Sequence, residues 1–312
     1  MNLADCLIKM KPQPKVSVIA VNYNGKDDTL ALIKSLKKTD YKNYDLIIID
    51  NKSTNDSREA LRKIRGITLI ENKKNLGLAE GTNIGLREAI RRKSKYILTM
   101  NNDMEVKKNF LSILVESMES HPEVAVSGPK INYMEPRNRI WCAGCKYRMQ
   151  GYKPLRQGEI DNKKEEEKYV DGIDCVLIFR TEVLEKIGLL NPRLFIIQEF
   201  TGWCLKAVNA GYKCLYVPES LVWHKVSASL ESGKNKNEIV TYYTIRNWLL
   251  VIKENKNIFY FLMILFFEAT IFAAFRFIKY LSWKKPGLIF VYYMAIWHGL
   301  LNKTQDELVK FG

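Results

Sequence analysis

The sequence predicts an α/β fold organised on a doubly wound, mixed but mostly parallel sheet, and three observations carry that expectation. The run Lys95-Tyr-Ile-Leu-Thr-Met100 is apolar without alternation and stops at Asn101-Asn102-Asp103, as a strand buried on both faces of a parallel sheet does. Short β-branched runs alternate with stretches of helical spacing through the amino-terminal part. The connections between them are short, which is the pattern of a sheet wound in one sense. Ligands of such sheets bind beyond the carboxyl ends of the strands, so Asp103 stands where chemistry is expected.

In chain order, Val16–Val21 is the first strand and ends at the turn-forming Asn22-Tyr23-Asn24-Gly25. Residues 27–38 carry Leu30, Leu32, Ile33 and Leu36 at helical spacing, with Asp27, Asp28 and Thr29 as acceptors at the amino end. Residues 44–49 form a strand that closes on Asp50-Asn51-Lys52-Ser53, followed by a helix over 56–64 and a strand over 67–70. The polar loop 72–78, with Asn75-Leu76-Gly77, leads into a helix over 79–92 and so into the strand ending at Asp103. This half has the nucleotide-binding type of α/β architecture. Beyond it the sequence predicts a helix over 110–120, strands over 124–128 and 176–179, and a helix over 181–187 ended by Gly188. A helical stretch over 203–210 and a last strand, Cys214–Val217, precede Trp223-His224-Lys225. Residues 132–168 lack periodicity, and the charge run over 163–168 reads as a solvated loop or helix face.

The 312 residues suffice for one large domain or two ordinary ones. A composition of 47% hydrophobic and 27% charged residues excludes a disordered chain. The net charge of +15 points to an anionic partner: a nucleotide-linked substrate, an acidic membrane surface or nucleic acid. The first half has no arginine stripe interleaved with aromatics, so nucleic acid is not the expected partner. Of the six cysteines only Cys142-Ala-Gly-Cys145 has ligand-like spacing, with no second pair at finger distance. Reduced thiols in a cytosolic chain are therefore expected. Residues 1–14 contain Lys9 and Lys11 but no long apolar core, so no secretory signal is read there.

From Tyr242 the character changes. Ile258–Phe275 is apolar apart from Glu268 and Thr270, short of the roughly 20 residues an upright crossing needs. Gly287–Leu301 is a second apolar stretch, and Lys253, Lys256, Arg276, Lys279, Lys284, Lys285 and Lys303 flank the pair on all sides. Cations on every flank do not orient a single crossing. They suit two helices lying in or dipping into an anionic cytoplasmic leaflet and returning to the same side. The other reading, core helices packed on the main domain, is kept open by Glu268, since a carboxylate in hydrocarbon is costly.

Six stretches fall into one order: 16–25 (Val-Ser-Val-Ile-Ala-Val-Asn-Tyr-Asn-Gly), 48–53 (Ile-Ile-Asp-Asn-Lys-Ser), 75–85 (Asn-Leu-Gly-Leu-Ala-Glu-Gly-Thr-Asn-Ile-Gly), 101–103 (Asn-Asn-Asp), 211–218 (Gly-Tyr-Lys-Cys-Leu-Tyr-Val-Pro) and 222–225 (Val-Trp-His-Lys). In this order the chain resembles the family 2 inverting glycosyltransferases of the A-type fold, and in particular their rhamnosyltransferase-like branch, over residues 15–250. The resemblance implies a nucleotide slot at the ends of the first two strands, lined by Val21, Asn22, Tyr23, Asp50, Asn51 and Ser53. Asp50 matches the position that recognises base or ribose, a task suited to an acceptor-only carboxylate. Asn75 and Gly77 would let the backbone approach the ribose and diphosphate, although plain turn propensity explains Asn75 equally well.

Asn101-Asn102-Asp103 stands where the family carries Asp-x-Asp, so Asn101 and Asn102 join the implied nucleotide-sugar residues. A departing diphosphate calls for a divalent cation, Mn²⁺ or Mg²⁺, with oxygen ligands. Asp103 is the implied main ligand, Asn101 offers a neutral carbonyl, and His224 matches a Trp-His position that adds an imidazole, which favours Mn²⁺. The competing reading of His224 is structural. The departure from the family lies at Glu199-Phe200-Thr201-Gly202-Trp203. The usual general base falls on Phe200 and a later aspartate on Gly202, leaving Glu199 as the implied catalytic carboxyl. Direct displacement needs a carboxylate within reach of the acceptor oxygen. Either Glu199 reaches in, or a carboxylate from elsewhere serves, or catalysis is impaired.

The implied organisation is an extension over 1–14, a catalytic domain over 15–250 with its nucleotide-binding half ending near 105, and a membrane-associated C-terminal region over 251–312. The implied function is transfer of a sugar from a nucleoside diphosphate sugar to a hydroxyl of a lipid-linked or polysaccharide acceptor, at the cytoplasmic side of the cell membrane. The alternative is a catalytically impaired nucleotide- or glycan-binding subunit that pairs with an active transferase, and restoring aspartate at Phe200 is the sequence-level test between them. A nucleotidyltransferase would carry a Gly-rich, basic phosphate loop after the first strand, and Asn22-Tyr-Asn-Gly25 is not one.

Overall fold

The computed structural model describes residues 13–162, 164–226 and 236–303. Strands β1 (Val16–Asn22), β2 (Tyr44–Asp50), β3 (Thr68–Glu71) and β4 (Tyr96–Asn101) run parallel in the order β3-β2-β1-β4. Their residues feed two cores in alternation. Val16, Val18, Ala20, Leu46 and Ile48 pack under helices α1 (Lys26–Leu36) and α4 (Phe110–Ser120). Ile19, Ile47 and Ile49 face α3 (Gly77–Arg91), α5 (Thr181–Ile187) and α6 (Glu199–Asn209) on the other side. The short α2 (Ser57–Arg62) sends Leu61 to the first core. Burial on both faces explains why these strands read as unbroken apolar runs, with about 1.5–3 kcal/mol from each large aliphatic side chain so buried.

Beyond β4 the sheet turns mixed. The strands that follow are β5 (Met104–Val106), β6 (Val124–Tyr133), β7 (Ile140–Cys142), β8 (Cys145–Arg148), β9 (Gly151–Pro154), β10 (Lys168–Val170), β11 (Val176–Arg180) and β12 (Lys213–His224). β11 lies antiparallel between β4 and β6, with Val176 opposite Met100, so its first residues arrive at the carboxyl end of β4. β12 runs parallel to β6 and pairs antiparallel with β5, with His224 opposite Met104. Three elements are longer than their sequence signals. β6 runs on to Tyr133, and α6 begins at Glu199 rather than Trp203. β12 continues past Pro218 because a register break between Val217 and Leu221 absorbs the residue that has no N–H to give.

The aperiodic region folds into short hairpins that carry no period long enough to read. Nor is the charge run fully solvated: Glu165 is largely buried and pairs with Arg156 at 2.6 Å and Lys130 at 3.8 Å. Lys163 lies outside the described residues, as do residues 1–12 of the amino-terminal extension. The five described cysteines are free thiols, with the Cys142 and Cys145 sulfurs 3.8 Å apart and buried.

A third core joins α7 (Lys236–Asn255), α8 (Ile258–Ser282) and α9 (Gly287–Leu300), with Trp248, Leu249, Ile252, Ile264, Tyr292 and Ile296 inside it. A boundary at residue 250 falls inside α7, which contributes to this core and also packs on α6. α8 runs to Ser282, and a π-helical turn over Glu268–Phe272 interrupts it. Glu268 is buried there, accepting from the Tyr292 hydroxyl at 2.7 Å and pairing with Arg276 at 3.2 Å. Its carboxylate thus lies inside the hairpin and does not face outward. The outer faces of α8 and α9 carry Phe259, Phe275 and Phe290, which are 80%, 68% and 70% exposed.

Candidate active site

The parallel register sets the carboxyl ends of β1, β2 and β4 level, with Asn22 opposite Asp50 and Val21 opposite Asn101. Asn22 donates through Nδ2 to Asp50 at 2.8 Å and to Ser53 at 3.0 Å, and accepts from Thr29 at 2.9 Å and the Gly25 N–H at 3.2 Å. Asp50 also accepts from the Ser53 N–H at 2.9 Å, the Ser53 hydroxyl at 2.6 Å and Arg58 Nε at 2.6 Å. Burial alone would push its carboxyl up, but the hydrogen bonds from Ser53, Arg58 and Asn22 outweigh it and hold the group below the ordinary range. The structure therefore gathers Asn22, Asp50 and Ser53 as predicted, yet as a closed network in which all four acceptor directions of Asp50 are filled. Asn51 is equally committed, donating to Asn75 and the Gly77 carbonyl and accepting from Asn72 and the Leu76 N–H, all at 2.9–3.1 Å. At this end of the sheet Val21 is half-buried and the Tyr23 ring stands free, 42% exposed.

The close approach expected at Gly77 is made by the protein itself. Gly77 has φ 77°, and a Cβ there would stand 2.1 Å from the Phe195 ring. The Phe195 carbonyl accepts from the Leu78 and Ala79 N–H groups at 2.5 and 3.1 Å, capping the start of α3. Asn102 likewise turns to α1, donating to the Thr29 hydroxyl at 2.9 Å. Gly25 is the neighbour that makes room, since a Cβ on it would meet the Asn102 amide at 2.5 Å.

Asp103 and His224 converge as the sequence implied. β12 carries His224 to the end of β5, and its Nε2 lies 3.1 Å from Asp103 Oδ1, with both side chains almost fully buried. The Trp141 ring meets the imidazole edge-on at 6.0 Å, and His224 Nδ1 is buried without a hydrogen-bond partner. A nitrogen and an oxygen on adjacent positions of one hexacoordinate cation stand about 3 Å apart, so this pair fits a shared metal ion. Among the described residues no cluster of three His, Cys, Asp or Glu side chains forms. The remaining coordination would fall to Asn101, water and substrate phosphate, as is usual for Mg²⁺-type sites. Asn101 ends β4 half-buried, and its N–H donates to the Cys175 carbonyl at 3.2 Å.

Glu199 is the first residue of α6, 4% exposed and with Oε2 unpartnered. Burial, and after it the negative charge of Asp174, push its carboxyl up to about 8. Asp174 is the residue the sequence reading missed. It sits in the turn before β11, where antiparallel pairing with β4 delivers it beside Asn101–Asp103. The only local signal was a carboxylate two residues before a predicted strand. Phe200 points away from the cleft into the core with Phe179 and Trp203, and Gly202 leaves room for Val251 of α7, which a Cβ would meet at 2.9 Å. Phe200→Asp would bury a charge in that core, so it does not separate an active enzyme from a binding subunit.

A carboxyl whose folded value lies above its ordinary 4.5 binds its proton more tightly in the native state, so native stability falls as pH rises from about 4.5 towards 8. In metal-free buffer, denaturant midpoints should show wild type losing on the order of 1 kcal/mol per pH unit across this window. Glu199→Gln should flatten that slope; an unchanged slope would place the proton elsewhere.

Residues 17–188, more than half of the chain, match the profile of Glycosyl transferase family 2. The chain is 23% identical over 249 residues to the dTDP-rhamnosyl transferase RfbF of Shigella flexneri, covering 77% of this chain and 80% of that protein. It is 32% identical over 137 residues to WfaP of Escherichia coli, named a UDP-Glc:alpha-D-GlcNAc-diphosphoundecaprenol beta-1,3-glucosyltransferase, covering 38% of this chain and 53% of that protein. Among solved structures it resembles the mannosyltransferase PcManGT of Pyrobaculum calidifontis in complex with GDP-Man and Mn2+. The TM-score is 0.57 at 14% identity, over 96% of this chain and 94% of that one, a likeness of fold. The chain belongs to glycosyl transferase family 2 and is a transferase that takes its sugar from a nucleotide sugar.

Proposed function

We propose that this transferase moves a sugar from a nucleoside diphosphate sugar to a hydroxyl of a lipid-linked or polysaccharide acceptor at the cytoplasmic face of the cell membrane, with inversion and with the help of Mn²⁺ or Mg²⁺. The observation that carries it is the buried Asp103–His224 pair at 3.1 Å with the second imidazole nitrogen unspent. Asp103, His224 and Asn101 would hold the cation, whose chemistry is to neutralise charge on the leaving diphosphate. Val21 and Tyr23 line the nucleotide slot, and Asn22, Asp50, Asn51 and Ser53 hold its shape, with Asn75, Gly77 and Asn102 fixing the loops beside it. Tyr23 offers the base an open ring face. Glu199, the first residue of α6, would attend the acceptor hydroxyl.

The names of the relatives support the donor and acceptor classes: RfbF is named for dTDP-rhamnose, and WfaP for a diphosphoundecaprenol-linked acceptor. PcManGT carries GDP-Man with Mn2+. The test is release of nucleoside diphosphate from dTDP-rhamnose, UDP-glucose and GDP-mannose with Mn²⁺ present. Turnover of one of them is expected. Absence of both nucleoside diphosphate binding and release across nucleotide sugars would reject the reading. Binding without release would favour the second reading, a binding subunit, which Phe200 in the core and Gly202 at α7 also support.

Membrane association rests on the apolar outer faces of α8 and α9 and the cations that flank them. Truncation after Glu254 is a poor test, because it strips the cover from Leu249, Leu250 and Ile252 and invites aggregation. Three exposed rings can be changed without opening that core. Phe259→Asp, Phe275→Asp and Phe290→Asp combined should release the folded protein from anionic vesicles in flotation. If the triple variant floats as wild type does, those faces are not the membrane contact.

A further inference from the structure

Five features single out Asp174 beside the candidate metal site. Continuing the β4/β11 register outward from Val176 opposite Met100 sets Asp174 beside Asn102, one residue from Asp103, and the Asn101 N–H bond to the Cys175 carbonyl at 3.2 Å holds that alignment. Cys175 has φ 64°, a strained conformation for an L-residue that persists only where its surroundings hold it and that clusters at functional sites. That turn leaves Asp174 half-buried, with Oδ1 steadied by the Cys175 N–H at 2.9 Å. Burial, the largest influence on it, raises the Asp174 carboxyl above its ordinary range, and its negative charge is felt by Glu199 at the start of α6. Finally, the position that would ordinarily carry a base is filled by Phe200, whose ring is in the core.

We propose that Asp174 is the group that receives the proton of the acceptor hydroxyl, an assignment that rests on reading the chain as an inverting transferase. In this step the acceptor O–H bond breaks as its oxygen forms a bond to the anomeric carbon. The bond from that carbon to the diphosphate oxygen breaks with its electron pair leaving on the diphosphate, and the proton passes to the Asp174 carboxylate. Glu199, which keeps its own proton at neutral pH and has Oε2 unspent, is the positioning group, able to donate a hydrogen bond to the acceptor.

The test compares Asp174→Asn, Asp174→Glu and Glu199→Gln with wild type, using the nucleotide sugar that wild type turns over and a prenyl-diphosphate sugar acceptor. Asp174→Asn keeps the shape and the bond from Cys175 but not the basicity. Its kcat is expected to fall about 10²–10⁴-fold, the usual worth of a positioned base, with nucleoside diphosphate affinity in Mn²⁺ unchanged. Asp174→Glu should recover part of the loss, and Glu199→Gln should cost less than Asp174→Asn. An Asp174→Asn enzyme within a few-fold of wild type, or a larger loss in Glu199→Gln, overturns the assignment while leaving the transferase reading intact. Failure of wild type itself to release nucleoside diphosphate overturns that parent reading and this one with it.

Discussion

Asp103→Asn should reduce nucleotide-sugar turnover by about 10²–10³-fold, the several kcal/mol that a charged ligand and its cation contribute to a departing diphosphate. The amide keeps the volume of the carboxylate and an oxygen for His224 Nε2 at the end of β5, so the fold around it should survive. Asparagine at this position leaves the site with neutral ligands only. The loss should therefore be accompanied by a shift of the Mn²⁺ dependence to higher concentration and by weaker nucleoside diphosphate binding. His224→Ala should show the same pattern more weakly, because the imidazole would be the second ligand in the proposed site and its Nδ1 already lacks a partner. The check is turnover titrated against Mn²⁺, beside a thermal melt. An Asp103→Asn enzyme within three-fold of wild type at every Mn²⁺ concentration would remove Asp103 from the metal site.

The strands of the nucleotide-binding half were legible because burial on both faces leaves a plain mark. Ile47 and Ile49 pack one way and Leu46 and Ile48 the other, so no polar residue interrupts the run. Asp103 and His224 were legible as types and positions, through family order rather than spacing, and β5 and β12 bring them together. What stayed hidden depends on pairings distant in sequence. Asn22 and Asp50 lie 28 residues apart, and only their register shows that their polar atoms serve one another. Asp174 reads locally as turn chemistry; its place emerges when β11 lies antiparallel on β4. Glu165 looked solvated within a charge run, yet Arg156 and Lys130 reach it from earlier hairpins and strands. Phe200 could be aligned but not aimed, since the turn of α6 decides which wall it faces.

That turn is held by Asn247, and its removal should be the most destabilising single change near the site. Phe195, Ile197 and Gln198 all have positive φ, at 54°, 71° and 69°, within four residues of α6. For a β-branched residue such as Ile197 this is a costly conformation, and strain of this kind persists only where neighbours over-determine it. The neighbours are on α7. Asn247 Nδ2 lies 2.7–2.8 Å from the carbonyls of Leu194, Ile196 and Ile197, sharing two hydrogens among three acceptors. Its Oδ1 accepts from the buried Arg246 at 2.8 Å, and Arg246 also reaches the Arg193 carbonyl. Asn247→Ala leaves those buried carbonyls without their donor, at about 1–3 kcal/mol for each group left unsatisfied, and lets the strained loop relax. A loss of about 3 kcal/mol in unfolding free energy is expected by denaturant titration. Turnover should fall at least ten-fold even below the unfolding range, because the same loop sets Glu199 at the cleft and places Phe195 against Gly77. Asn247→Asp retains an acceptor for Arg246 but turns a carboxylate oxygen onto the three carbonyl oxygens, so it should lose at least as much stability and activity as the alanine variant. Full turnover in the folded Asn247→Ala protein would show that the loop holds its shape without α7, and that the C-terminal helices serve the site only as an anchor.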